Sequence, residues 1–463
     1  MSTFTALEKN RIFIERTQDL WPENWEYYLE LIKHEIWTPE ELKEYNFRKR
    51  VETLIYAYEN TTFYKKLYDD AGVNPYGIKS EEDWQKVPIV TKQMVADNSS
   101  DFEVKEFIER FGFSANTGGS TGNPLRVFRD RRHFWQAPFW RFYGWHLGRE
   151  CGNPDCYTPI WGLDEANITR AQFWHTGERL RSKQVAFWPK NFFYLSPYSS
   201  FAKDVDKFIA EVSKSPLAKI YAYAGGMDML ADYCIKHNIK FPNNIVFADL
   251  CATPVTNVLR EKIKAALGIK VFDFYGSNEM GPMAVECCES GSEHHLHVLS
   301  DLLAIELVDD NMNVVEDGET GTTIITDFRN RVFPFVRYNH GDRTHYIKGN
   351  CRCGLPFPII APVRGRTSDF LTTRSGLNID GVGFNEIFDH HPQAVCSFQF
   401  RQKKNGYADF LVVPNKRNSN FKDEIDFVFN KLQTDFDGEI IFTLKYVDVI
   451  EYDGGKIRYI VHE

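Results

Sequence analysis

From residue 157 to residue 275 the chain alternates between strand-like and helical runs, and that alternation limits its fold more than any other feature. Lys219-Ile-Tyr-Ala-Tyr-Ala is strand-like and ends at Gly225-Gly226, and Met227 to His237 has helical spacing. Asn244-Ile-Val-Phe-Ala is a second strand, Thr256 to Leu267 a helix stopped by Gly268, and Lys270-Val-Phe-Asp-Phe-Tyr a third strand. Strand, helix, strand, helix, strand in succession requires crossovers and a parallel sheet, hence an α/β fold. Ligands of such sheets bind beyond the carboxyl ends of the strands, where Gly225, Gly226, Thr253 and the Tyr275–Glu279 loop fall. Residues 303–347 read differently. Short strands joined by Asp/Gly turns predict an antiparallel, barrel-like subdomain, and a small α+β segment follows Gly365–Ser368. Residues 1–70 read as helical. Pro39-Glu-Glu-Leu and Ser80-Glu-Glu-Asp-Trp look like helix starts.

Ahead of this region lies Phe113-Ser-Ala-Asn-Thr-Gly-Gly-Ser-Thr-Gly-Asn-Pro124, in which every residue from Asn116 to Asn123 is glycine or carries a hydroxyl or amide. Such a run packs no core. Its glycines let the backbone approach a ligand, and successive N–H groups can form an anion-binding nest, so the loop reads either as a phosphate cradle or as an ordinary turn. It is not a Walker A loop, because no Gly-Lys-Ser/Thr ends it. The net charge of −9, with no long basic run, argues against extended nucleic-acid or anionic-membrane binding. No run approaches the roughly eighteen apolar residues of a membrane-spanning helix. With no signal-peptide apolar region, the expected location is the cytoplasm. The nine cysteines are odd in number, which favours free thiols or metal ligands over a disulfide framework. Phe134, Trp135, Phe139, Trp140, Phe142, Tyr143 and Trp145 form either a buried helix face or a wall of an apolar pocket.

The glycine loop resembles the phosphate loop of adenylate-forming enzymes, in particular the phenylacetate–CoA ligase/CapK-like family, which also contains coenzyme F390 synthetase-like proteins. Four more motifs follow in the family's order: Tyr275-Gly-Ser-Asn-Glu279, Arg337-Tyr-Asn-His-Gly-Asp342, Gly365-Arg-Thr-Ser-Asp369 and Gly454-Gly-Lys-Ile-Arg458. Ala57-Tyr-Glu-Asn, Phe63-Tyr64 and Pro88-Ile-Val-Thr-Lys92 extend the likeness to the N-terminal segment. The resemblance implies an ATP site in which Thr117, Gly118, Gly119, Ser120, Thr121 and Gly122 hold phosphate. It adds Thr253, Gly276, Ser277 and Asn278 to the nucleotide site, with Tyr275 stacked on adenine, Asp342 on the ribose hydroxyls and Arg366 on ribose or phosphate. Glu279 is the implied magnesium ligand. Lys456 is the implied catalytic cation between the α-phosphate and the substrate carboxylate.

The same resemblance implies a large adenylation domain over residues 1–365, with a helical segment over about 1–95, and a small mobile domain over 366–463. It departs from the pattern at two places: Ser368 precedes Asp369 where two aspartates are common, and Asn123 stands where many relatives have lysine. Relatives with a Cys…His…Cys-x-Cys set resemble structural zinc proteins, and the best match here is Cys287, His297, Cys351 and Cys353, with Cys288 or His295 as substitutes. The expected reaction is ATP-dependent activation of a carboxylic acid as acyl-AMP, then transfer to a thiol, coenzyme A. The aromatic residues favour an aryl or otherwise apolar acid. The alternatives are transfer to a non-CoA acceptor, by amide or nucleotidyl transfer, and a non-catalytic nucleotide-binding relative. A second copy of the chain is a candidate partner.

Overall fold

Thr38 starts a 22-residue helix, Pro39–Asn60, with a reciprocal cap: its hydroxyl accepts from the Glu41 amide at 3.2 Å, and the Glu41 carboxylate accepts from the Thr38 amide at 2.7 Å. Thr61 caps Thr62–Asp70, and Ser80 caps Glu81–Trp84 as its pattern predicts. The computed structural model describes residues 22–116, 126–130, 138, 141, 168–173, 192–195, 201–214, 217–243, 245–363, 365–366, 370–376, 378–380, 384, 387–388, 390–436, 438–450 and 458–463. The helical expectation for residues 1–70 holds from Pro22 onward. The aromatic run 134–145, apart from Pro138 and Arg141, lies outside the described residues, as do Ser368 and Asp369. No helix among the described residues is long and apolar enough to cross a membrane.

The chain falls into two compact units, residues 1–162 with 274–362 and residues 163–273 with 363–463. In the second unit, Phe192–Leu195, Ile168–Phe173, Leu217–Tyr223, Ile245–Cys251 and the start of Lys270–Ser277 lie side by side in that order, all parallel. Thr256 caps Asn257–Leu267 by accepting from the Leu259 amide, and Gly268 ends that helix at φ 71°. Gly225 and Gly226 fall beyond the carboxyl end of Leu217–Tyr223 as expected, buried in the first turn of a helix, Ala224–His237, that starts three residues earlier than its spacing predicts. That turn is where a helix tolerates glycine best, since its first amides have no intrahelical acceptor to lose. Ile220, Ala248 and Leu250 from the strands pack with Met227, Leu230, Leu259 and Ile263 from the helices. Lys262 is buried between Asp228 and Asp232, at 2.7 Å from each, and burial of this ion is tolerated because both partners are carboxylates. The same unit holds an α+β sheet in the order Ile441–Tyr446, Tyr407–Pro414, Val395–Lys404, Ile460–His462, with helix Phe421–Phe436.

In the first unit, Leu303–Val308, Gly321–Asp327 and Tyr338–Thr344 form an antiparallel meander. The sheet is open, so the barrel-like expectation is corrected to a sheet with free ends. Asp301, just ahead of the first of these strands, is fully buried and gripped by Arg141 through both oxygens, Nη2 lying 3.0 Å from Oδ1. His34 Nδ1 donates to Oδ2 at 2.8 Å, since a carboxylate only accepts. Burial alone would raise the Asp301 carboxyl, but the Arg141 charge and the His34 hydrogen bond outweigh it and hold the group down at about 2. A depressed folded-state value adds stability above the unfolded value and loses it as pH falls through the folded one. We therefore expect the stability gap between wild type and Asp301→Asn to narrow by about 2 kcal/mol from pH 6 to pH 2, the scale of a shift approaching two units. Urea midpoints at a series of pH values check it, and a gap that stays constant would exclude the ion pair as its source.

Candidate functional site

The Lys270–Ser277 strand passes from the second unit into the first and turns back antiparallel as Gly281–Glu286, with Ser277 opposite Gly281. Asn278, Glu279 and Met280 form the tip. The turn depends on a close backbone approach at Gly276, where an added Cβ would sit 2.7 Å from the Gly281 carbonyl oxygen. The Ser277 hydroxyl accepts from the Met280 amide at 3.1 Å, and Gly281 takes φ 65° to close the hairpin. Three of the expected nucleotide residues thus also build the turn that presents Glu279. That residue is only 8% exposed, yet among the described residues no side chain pairs with its carboxylate.

The phosphate-loop residues Thr117 to Gly122 lie outside the described residues, but the strands on either side of them do not. Gly112–Asn116 and Arg126–Asp130 pair antiparallel, Asn116 opposite Arg126, so the glycine run joins the two arms of a hairpin. Arg129, on the second arm, donates from Nη2 to Asn278 Oδ1 at 2.9 Å. The Phe128 carbonyl on that arm accepts from Asn330 Nδ2 at 2.9 Å. The base of the glycine loop is thereby tied to the tip that carries Glu279. Arg129 carries no signal in the sequence beyond its place in a short alternating strand.

Tyr275 and Asp342 also meet. The tyrosine hydroxyl donates to Asp342 Oδ2 at 3.0 Å, and His340 Nδ1 lies 2.9 Å from the same oxygen. In the second unit, Thr253 follows Ala252, which has a left-handed φ of 72°, and the Thr253 hydroxyl is buried with no hydrogen-bond partner among the described residues. Arg366 belongs to the Gly365–Arg366 strand, and Lys456 lies outside the described residues.

A second constellation sits where Leu296–Val298 pairs with Gly281–Glu286 on one side and Ile359–Ile360 on the other. Donor atoms of Cys287, His295, His297 and Cys351 all lie within 4.8 Å of one another. Cys353 Sγ adjoins them at 3.2 Å from His297 Nε2. The four closest donors therefore include His295, whereas the sequence match has Cys353 in its place. The polar surroundings favour Cys353. Each of the three thiols receives a backbone N–H from two residues on: Glu289 to Cys287 at 3.3 Å, Cys353 to Cys351 at 3.4 Å and Leu355 to Cys353 at 3.3 Å. Such donors compensate thiolate charge. His297 Nδ1 donates to the Phe357 carbonyl at 3.1 Å, which turns Nε2 toward the sulfurs, while the buried His295 Nδ1 makes no hydrogen bond among the described residues. The hydrogen bond from Cys287 holds the Cys353 thiol down at about 3, and hydrogen bonds to Cys288 and Cys353 push the Cys287 thiol up. Burial opposes charge on His297, but its bonds to Cys351 and Cys353 raise it to about 9. The donor set of soft sulfurs and an oriented imidazole suits zinc.

No family model matches the chain. Among curated proteins, a phenylacetate–coenzyme A ligase of Thermus thermophilus is 25% identical over 391 residues, covering 78% of each chain. One of Pseudomonas putida is 26% identical over 383 residues, covering 80% of this chain and 81% of the other. Among solved structures, 2-hydroxyisobutyryl-CoA ligase in the postadenylation state in complex with R3-HIB-AMP superposes with a TM-score of 0.71 at 17% identity, over 93% of this chain and 91% of that one. The chain is phenylacetate–CoA ligase-like in sequence and has the fold of the adenylate-forming CoA ligases.

Proposed function

We infer that this chain is an AMP-forming acid–thiol ligase. A carboxylate oxygen of the acid attacks the α-phosphorus of ATP and pyrophosphate leaves. The sulfur of coenzyme A then attacks the acyl carbonyl and AMP leaves. One observation carries this reading: the hairpin tip bearing the largely buried Glu279, unpaired among the described residues, is tied through Asn278 and Arg129 to the base of the glycine loop. That arrangement suits a hard cation alongside nucleotide phosphates. The names of the curated relatives support an aryl acid as substrate.

In this reading Thr117 to Gly122 cradle phosphate, Asp342 receives the ribose hydroxyls, and Tyr275, Thr253 and Arg366 complete the nucleotide site. Magnesium, when bound, neutralises charge on the phosphates, and Glu279 is the protein's ligand to it. Cys287, His297, Cys351 and Cys353 hold a structural zinc ion. Residues 366–463 act as the mobile domain, with the hinge at Ser368 and Asp369. A rotation there would break the hydrogen bond between Thr256 Oγ1 and Tyr459 OH, 3.2 Å long in this structure. The reading is tested with a panel of carboxylic acids, by pyrophosphate release and by mass spectrometry with and without coenzyme A. Acid-dependent pyrophosphate and an acyl-CoA product are expected, and a panel that yields neither overturns it.

Lys456 separates the two half-reactions. Its charge is needed where two anions meet at the α-phosphate, and not where a thiol meets the acyl carbonyl. Lys456→Ala is expected to slow adenylation about 10²-fold, the scale of one lost electrostatic contact to a transition state, and to spare thioester formation from synthetic acyl-AMP. Paired single-turnover assays decide, since equal loss in both would make the lysine structural.

A further inference from the structure

We propose that His340 is a positioning residue of the nucleotide site, fixing the Asp342 carboxylate so that the ribose hydroxyls of ATP meet an acceptor already oriented. The proposal rests on the ligase reading above and adds to it a residue that acts only through another. Three polar atoms converge. Tyr275 OH and His340 Nδ1 lie 3.0 and 2.9 Å from Asp342 Oδ2, and 3.3 Å from each other. The hydrogen bond of His340 Nδ1 is with the tyrosine oxygen, and its approach to Oδ2 is a close contact only, so the imidazole acts on the carboxylate through Tyr275. The tyrosine hydroxyl donates to the same oxygen. The phenol, held by the imidazole on one side and bonded to Oδ2 on the other, leaves the carboxylate little freedom to rotate. The side chains of His340 and Asp342 are only 4% and 8% exposed, so water does not readily replace either bond.

The strand itself brings the pair together. His340 and Asp342 are two residues apart on Tyr338–Thr344, where the pairing with Gly321–Asp327 slips between Asn339 and Arg343. Between them Gly341 takes a φ of 86°, a conformation strained for any residue with a side chain. Tyr275 arrives from the other sheet, at the end of the strand that carries the Glu279 tip. Through Asp342 and Tyr275, His340 therefore joins the ribose end of the site to the phosphate end.

The test is Mg·ATP binding by calorimetry, which needs no knowledge of the acid, on wild type, His340→Leu and His340→Asn, each with ATP and 3′-deoxy-ATP. His340→Leu should weaken ATP binding about fivefold, the scale of one hydrogen bond. The wild-type preference for ATP over 3′-deoxy-ATP should largely vanish with it. His340→Asn keeps an N–H donor and should recover most of both. An equal weakening for the two nucleotides, or unchanged ATP affinity in a folded His340→Leu protein, overturns the proposal. Should the leucine variant fail to fold, an asparagine variant with wild-type discrimination supports the proposal and one with none overturns it. Wild type that binds ATP but activates no acid sinks the ligase reading and leaves this result standing. Wild type that binds no ATP sinks both.

Discussion

Glu279→Gln abolishes magnesium-dependent pyrophosphate release, by about 10³-fold or more, in a protein that keeps its fold. The size follows from the several kcal/mol that a metal ion contributes at a phosphoryl centre, at 1.36 kcal/mol per tenfold. The variant is informative because the turn does not depend on the carboxylate. Gly276 sets the close approach of the two strands, the Ser277 hydroxyl caps the Met280 amide, and Asn278 is held by Arg129. Glutamine has the same shape and removes only the charge. Among the described residues no protein cation pairs with that charge, so its loss leaves no orphaned partner. The thermal midpoint should stay the same or rise, since an uncompensated, largely buried carboxylate costs stability. Magnesium titrations of pyrophosphate release, beside thermal unfolding, make the measurement. Full release by a folded variant removes Glu279 from the site, and lost activity with a lowered midpoint makes it a structural residue instead.

What the sequence made legible is largely what is decided locally. The caps at Thr38, Ser80 and Thr256 are satisfied within three residues, and each is where its pattern predicts. The parallel strands over 217–277 follow from alternating periods. The order in which they lie is a different matter, because Ile168–Phe173 inserts between Phe192–Leu195 and Leu217–Tyr223. Nothing local marks that choice, which is made by packing. The Gly225–Gly226 pair lies at the strand's carboxyl end as read, but that the helix already begins at Ala224 is decided by the packing of that first turn. At the candidate site the motif residues were visible one by one, but their partners were not. Tyr275 and Asp342 are 67 positions apart, and Arg129 and Asn278 are 149 apart. His340 lay within a motif, and its chemistry became visible only once the positive φ at Gly341 and the arrival of Tyr275 were known.

Purified without chelator, the protein should carry about one zinc per chain, and Cys351→Ser should remove it and lower the thermal midpoint by about 10 °C. The apolar core at this place is too small to hold the segment alone. Among the described residues, Cys287, Cys351 and Ile359 are its buried members, with Ile347 and Cys353 packed against them. Around it, three stretches distant in sequence must be kept in register: the end of Gly281–Glu286, the Leu296–Val298 strand and the 351–360 loop and strand. A zinc ion held here would tie all three together, and its binding energy would be folding energy because the unfolded chain holds no preformed site. Losing one ligand of four would forfeit a share of that energy, about 4 kcal/mol, which for a unit of this size is about 8–16 °C in the midpoint. The two candidate ligand sets predict different second variants. If Cys353 is the fourth ligand, as the N–H donors around the three sulfurs indicate, Cys353→Ser repeats the loss and His295→Ala changes metal content little. If His295 is the fourth, the outcomes exchange. Metal analysis of the three variants beside their midpoints separates these cases without any activity measurement. A chain free of zinc, whose midpoint is indifferent to Cys351→Ser, would leave the cluster as a set of buried thiols held by their own hydrogen bonds.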